Sequence, residues 1–299
     1  MAQDRLLTVG TNAMPQNSSH ACSDSLTSEQ IDALWKVHDP VEGEVKLKNA
    51  VAEYPGSVDE LLTQIARSLG LQSRFGEAWD ELSKISIVHS PLVEIRMQLE
   101  KGRLENSSGK RNDVKPYFLK ALELARQEHL DFCAVDAAHM LGIVSEGQES
   151  IQWNKLALQL AANSKFKRTQ NWKGSLLNNL GWTYFNIADF DTALTTFDSA
   201  LDFQKAAGDP VRIRVARWTV ARCLRALKRY DEAFAIQNDL IQYPEQGYVS
   251  EELGELLLVM GRPDDARLRF KKTHELLSQS LGSDPSQASR LARLKQLSQ

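Results

Sequence analysis

The groups that could do covalent or metal chemistry in this chain are few and dispersed. His129, Cys133 and Asp136 would share one face if they lay on one helix, a constellation with ligand character. The run RQEHLD at 126–131 reads equally as the turn leaving a helix, which makes Cys133 a small core residue. No His/Cys spacing in the sequence matches a zinc motif. Cys22 lies among polar residues with nothing nearby to lower its pKa. The acidic pairs Asp264-Asp265 and Glu251-Glu252 fall at helix starts, where they complement the helix dipole. The sequence contains no Gly-rich phosphate loop, G-x-S-x-G elbow or H-E-x-x-H pair. The expectation is a non-enzymatic protein without catalytic residues, metal or cofactor.

What the sequence does offer is side chains suited to recognition. Asn178-Asn179 supplies adjacent amides, each with a donor and an acceptor that match a peptide group. Trp182, Phe185 and Trp218 supply flat apolar surface, and Arg67, Arg103, Arg222 and Arg225 can pair with carboxylates. Trp and Arg are the residue types that dominate interface energetics.

The elements that hold these side chains recur along the chain. The clearest copy is LLNNLGWTYFNIADFDTALTTFDSALDFQ at 176–204. Its marks are Leu180, Gly181, Tyr184, Ala193, Phe197 and Ala200. Equivalents of Ala193 fall at Gly43, Ala78, Val114, Asn154, Ala233 and Ala266, giving spacings of 35, 36, 40, 39, 40 and 33 residues. Twelve residues before the anchor stand Ala66, Gly102, Gly142, Gly181, Ala221 and Gly254. Four after it stand Leu47, Leu82, Phe118, Leu158, Phe197, Gln237 and Phe270. Small residues let two helix axes approach to about 8–10 Å, and Leu, Phe and Ala at helical spacing then fill the seam. One such pair cannot bury its apolar face, so the units must stack.

This pattern resembles the tetratricopeptide repeat family over residues 28–281. The resemblance implies an all-α, right-handed superhelical solenoid of about seven antiparallel helix pairs. The family period is about 34 residues, so three copies carry about five or six extra residues, expected in a loop and punctuated by AAGDP at 206–210. Gly43 and Asn154 are poor anchors, Gln237 is polar at a core site, and the first copy lacks the Leu-Gly signal. Thr27 with Gln30 and Ser57 with Glu60 fit capping boxes, and Pro263 fits a first helical position.

The expected organisation is a disordered polar tail over 1–26, a repeat array over 27–282 and a capping helix over 283–299. In that last helix Asp284 would cap, Pro285 would open, and Ala288, Leu291 and Leu294 would face the array. Arg290, Arg293 and Lys295 would face away; a membrane-surface or partner-binding helix is the alternative.

The resemblance also implies that the first helix of each pair lines the concave side. Three columns then look inward, and they contain His139, Asn178 and Trp218; Arg67, Arg103, Trp182 and Arg222; and Phe185 and Arg225. The result is a groove with Arg on both sides of an aromatic centre. The alternative reading has the same Trp residues packing between repeats and the Arg column as a solvated face. Asn178-Asn179 resembles the longer-repeat members such as kinesin light chains, whose Asn side chains clamp the backbone of an extended peptide. Only this copy carries the pair. The Lys and Arg positions of the chaperone carboxylate clamp are not filled in adjacent repeats, which argues against a chaperone C-terminus as partner.

Acidic and basic residues nearly balance, 39 against 36, which is not the profile of a nucleic-acid binder. No stretch has the roughly 18 apolar residues of a membrane span, and the first residues do not read as a secretory signal. Three widely spaced cysteines suit reduced thiols and a cytoplasmic setting. The reading is a scaffold or adaptor that binds a peptide or helix of a protein partner in its groove. The alternative is a regulatory protein that senses a peptide or ligand and acts on a separate effector.

Overall fold

The computed structural model describes residues 24–35, 39–85, 90–109, 114–243, 247–281 and 287–299, and no strand occurs among them. Seven antiparallel pairs follow one another. They are α1 (Ser28–Leu34) with α2 (Pro40–Glu53), α3 (Val58–Leu71) with α4 (Phe75–Ser83), and α5 (Pro91–Ser107) with α6 (Lys115–Gln127). Next come α7 (Asp131–Val144) with α8 (Gly147–Asn163) and, after the one-turn helix α9 (Lys167–Gln170), α10 (Lys173–Asn186) with α11 (Phe190–Ala207). The last pairs are α12 (Pro210–Ala226) with α13 (Tyr230–Leu240) and α14 (Gly247–Val259) with α15 (Pro263–Leu281), followed by α16 (Ala288–Leu297).

The seam inside each pair explains why these residues form this fold. Ala78, Ala193, Ala233 and Ala266 are each 0 % exposed, so the anchors are where the helices touch. The small residue twelve positions earlier lies against the side chain that fills the seam. A Cβ on Gly181 would stand 2.5 Å from the Phe197 ring, one on Gly102 2.6 Å from Phe118, and one on Gly254 2.7 Å from Phe270. Glycine is thus required where the seam is filled by Phe, whereas Ala66 and Ala221 accompany Leu82 and Gln237. In the fourth pair Asn154 itself packs on Gly142, 2.7 Å from where its Cβ would be, and Leu158 is left half-exposed.

The turn within most pairs is closed by a left-handed residue five positions before the anchor. Ser73, Gly109, Ala188, Lys228 and Gly261 all have φ between 59° and 75°. At Ala188 the helix ends with the Asp189 N–H donating to the Tyr184 carbonyl at 3.0 Å, which satisfies a terminal carbonyl. Proline opens α2, α5, α12 and α15, where its missing N–H leaves no intrahelical bond unmade.

The extra residues of the long copies do not form loops. They extend α6 and α11, the latter 18 residues against 11 in α13, or they form the segment holding α9. A longer amphipathic helix keeps its backbone bonds satisfied, which a loop of equal length does not.

The Thr27/Gln30 capping box is present. The Ser57/Glu60 box is not: Ser57 Oγ accepts from the Leu26 N–H at 2.8 Å, and Glu60 pairs with Arg96 at 2.8 Å. Leu26 also packs on the first core cluster. Residues 1–23, with Cys22, and the Asp284–Pro285 cap lie outside the described residues. The core runs as successive local clusters along the array, as a stacked solenoid requires. Asp32 of α1 departs from nearest-neighbour order: Arg96 of α5 comes within 4.0 Å of it, and Arg168 of α9 pairs with it while covering the Phe132 ring at 3.7 Å.

Candidate functional site

The columns expected to face inward divide into two halves of different chemistry. In the first half the charged side chains are already neutralised within the chain. Arg67 pairs with Glu100 at 3.4 Å and stacks on Trp35 at 5.0 Å. Arg103 bonds Glu100 and reaches Asp136 at 2.5 Å. Burial opposes the charged form of Asp136, and the Arg103 and Arg67 guanidiniums outweigh it, holding the carboxyl below its usual range. The ladder ends at His139 Nε2, 2.5 Å from Asn179 Nδ2. Burial pushes the His139 imidazole down to about 4 against the pull of Asp136, so the ring is neutral at pH 7. Its Nδ1 is buried without a partner.

Arg67, Arg103, His139 and Asn179 are therefore brought together, but as a network tying α3, α5, α7 and α10. Asn179 spends its amide nitrogen on His139. Asn178 is half-buried, and no side-chain hydrogen bond engages it among the described residues.

The second half is aromatic. Trp182 of α10 meets Phe185, Phe197 and Trp218 with ring centroids 5.2, 5.1 and 6.1 Å away. Trp218 of α12 donates its indole N–H to the Tyr248 carbonyl at 3.2 Å. Both indoles are half-buried, so they pack on the array and still present a surface. Arg222 lies against both, its Cζ 5.3 Å from one ring and 5.4 Å from the other. No carboxylate pairs with Arg222 among the described residues, and its Nε has no hydrogen-bond partner. Arg225, by contrast, grips Glu252 through two nitrogens.

Trp182 also forms one wall of a cleft of about 590 Å³ between the end of α7, the start of α8 and α10. Ile143 and Ile187 stand exposed at this cleft, and Asn154, Asn179 and Thr183 line it. The Oδ1 of Asn154 is buried there without a partner.

The far end of the groove is covered by the chain itself. Arg290 of α16 pairs with Glu251 and lies 4.7 Å over the Tyr248 ring, and Arg293 pairs with Glu255 at 2.6 Å. These two arginines therefore face the array, not away from it. Leu294 is buried against the last core cluster, so α16 is amphipathic in a second sense: apolar toward α15 and cationic toward α14. The spacing of Arg290 and Arg293 could not reveal this, because the acceptors lie 39 and 38 residues away in sequence.

His129 sits in the turn before α7 at φ 54°, so it does not share a helix with Cys133 and Asp136. Burial pushes the Cys133 thiol up to about 11. No trio of His, Cys, Asp or Glu among the described residues is arranged to hold a metal ion. No helix among them is long and apolar enough to cross a membrane.

No family model matches this sequence, and no curated protein matches it. Solved structures do. A signal-transduction ATPase from Pyrococcus horikoshii with a tetratricopeptide repeat sensor aligns at TM-score 0.61 and 15 % identity over 87 % of this chain, which spans 42 % of that protein. NprR in complex with its cognate peptide NprX aligns at TM-score 0.57 and 15 % identity, covering 90 % of this chain and 82 % of NprR. A Rap protein complexed with Competence and Sporulation Factor aligns at 0.58 and 12 % identity, covering 84 % of this chain and 74 % of Rap. Taking the repeat residues, the seams they form and these neighbours together, the chain is an all-α solenoid of the tetratricopeptide repeat type.

Proposed function

We propose that this protein is a non-enzymatic interaction module that holds an extended segment of a protein partner, or a peptide, along the inner helices, centred on Trp182, Arg222 and Trp218. The observation that carries this reading is the guanidinium of Arg222, set against two half-exposed indoles and without a carboxylate of its own among the described residues. Such a group offers both apolar contact and directed hydrogen bonds, the combination found at interface hot spots. The adjoining cleft adds exposed Ile143 and Ile187 over a polar floor, a lining suited to alternate side chain and backbone contacts. NprR was solved with a peptide bound, which supports the same use of a related fold here. The setting we propose is the cytoplasm, with a role as scaffold or adaptor.

A second reading is peptide sensing with output through a separate effector. The Arg168–Asp32 pair favours it, because it ties the first repeat to the fourth and fifth. A ligand that changed the superhelical pitch would have to break that tie.

The test is selection from a random-peptide library displayed on phage, with wild type and Trp182→Ala/Trp218→Ala as bait. Helicity of the variant is first checked by circular dichroism. Peptides selected by wild type and not by the folded variant are the expected result. No selected peptide, or the same peptides with both baits, would remove this reading.

A further inference from the structure

Every other arginine of the inward columns has its charge met inside the chain. Arg67 is answered by Glu100, Arg103 by Glu100 and Asp136, and Arg225 by Glu252. The cap's arginines are answered by Glu251 and Glu255. Arg222 stands at the centre of this otherwise neutralised surface with no carboxylate among the described residues. The Trp182 and Trp218 rings lie together on one side of it, 5.3 and 5.4 Å from its Cζ and 6.1 Å from each other. No ion pair engages it among the described residues and its Nε is without a partner, and an unanswered guanidinium can donate two parallel hydrogen bonds to a carboxylate.

The indoles hold the guanidinium in place before any partner arrives. A preorganised guanidinium loses less side-chain freedom on binding than a free surface arginine does. The adjoining rings also displace water from the side they cover, which strengthens the charge–charge term.

The surface continues past Arg222 on both sides. On one side Trp182 is shared with the cleft bounded by Ile143 and Ile187. On the other Trp218 runs on to Tyr248, 6.4 Å between rings, which stays 45 % exposed beside the Arg290 that lies over it. A segment that reached Arg222 would therefore pass through rather than stop there.

We infer that the partner segment carries an internal Asp or Glu whose carboxylate supplies the missing charge to Arg222, with an adjacent residue crossing Trp182 into the cleft. This rests on the groove reading proposed above and names the chemistry of its ligand.

The experiment is the composition of peptides enriched from two libraries, one fused at both ends and one with free C-termini. The baits are wild type, Arg222→Gln and Arg222→Glu, each with circular dichroism unchanged. Wild type should enrich one Asp or Glu position in the doubly fused library. Arg222→Gln should lose that enrichment and bind the selected peptides about tenfold or more weakly, and Arg222→Glu should favour Lys or Arg at the same position. If Arg222→Glu does not fold, Arg222→Gln alone decides.

Peptides selected by wild type without an acidic position, or an acidic preference that survives Arg222→Gln, would overturn this inference while leaving the groove reading intact. Enrichment only in the free C-terminus library would also overturn it, by assigning the carboxylate to a chain end. No enrichment in either library would overturn both.

Discussion

The pairing of glycine with phenylalanine across each seam makes a quantitative claim about Gly181. A Cβ added there would lie 2.5, 2.6 and 3.0 Å from three ring carbons of Phe197, whose side chain is fully buried. Ordinary contact needs about 3.5–4.0 Å, so the ring or the α10–α11 separation must give by about 1 Å. Overpacking of that kind costs about 1–3 kcal/mol. Alanine gains back about 1 kcal/mol of helix propensity over glycine. Gly181→Ala should therefore destabilise by a net of about 1–2 kcal/mol, at the upper end because the ring has no void to enter.

The decisive step is the compensating change. Ala66 accompanies Leu82 in the second pair, so Ala with Leu is a combination this fold already uses. Phe197→Leu alone removes ring volume and costs about 1–2 kcal/mol. In the double variant each change relieves the other, and the coupling should be about 1 kcal/mol or more. Hydrogen exchange of α10 and α11 amides is the suitable assay, because it reads local opening without assuming that the whole array unfolds as one. Effects additive to within about 0.5 kcal/mol, as expected for independent sites, would refute the seam geometry and the register built on it.

Three further outcomes follow from other parts of the molecule. His139 titrates near 4 in the folded chain against 6.5 as a free group, so its contribution is present above pH 6.5 and is lost as pH falls toward 4. The loss reaches about 3 kcal/mol; protection of α7 and α10 amides should drop over that window in wild type and stay flat in His139→Gln, and equal slopes would contradict the assignment. Ala188 holds φ 62°, so Ala188→Gly should stabilise by about 0.5–1 kcal/mol, read as slower exchange at the end of α10. Arg290→Ala/Arg293→Ala should leave the fold intact but speed exchange in α16 several-fold, since each half-exposed ion pair is worth about 1 kcal/mol or less; unchanged exchange would mean that Leu294 alone seats the cap.

The repeat was legible because the seam is written at fixed spacing: a small residue, an anchor and a filler recur whatever lies between. Copy boundaries, the number of pairs and the Pro263 helix start follow from that spacing alone. The left-handed turns were hidden because Ser73, Ala188 and Lys228 occupy them without glycine; tertiary packing fixes their conformation, not local preference. The longer copies were misassigned because AAGDP marks where α11 stops, and nothing marks that the preceding residues stay helical.

For the candidate site, the types were legible and the pairing was not. Arg67, Arg103, Arg222 and Arg225 look alike in the inward columns of the sequence. Only the structure distinguishes three that meet carboxylates on neighbouring helices from one that meets two indoles. Those partners lie about one repeat away, at a distance set by how the pairs stack. The Asn178-Asn179 pair shows the same limit, since His139, 40 residues earlier, takes the second amide.

The proposed recognition centres on the groove around Trp182 and Arg222. The most direct measurement is the affinity of a library-selected, fluorescently labelled peptide for wild type and for Trp182→Ala/Arg222→Ala with unchanged circular dichroism. A combined cost of about 2 kcal/mol or more for the two truncations predicts a loss of at least about 30-fold. Equal affinity in the folded double variant would place the binding surface elsewhere and contradict the account.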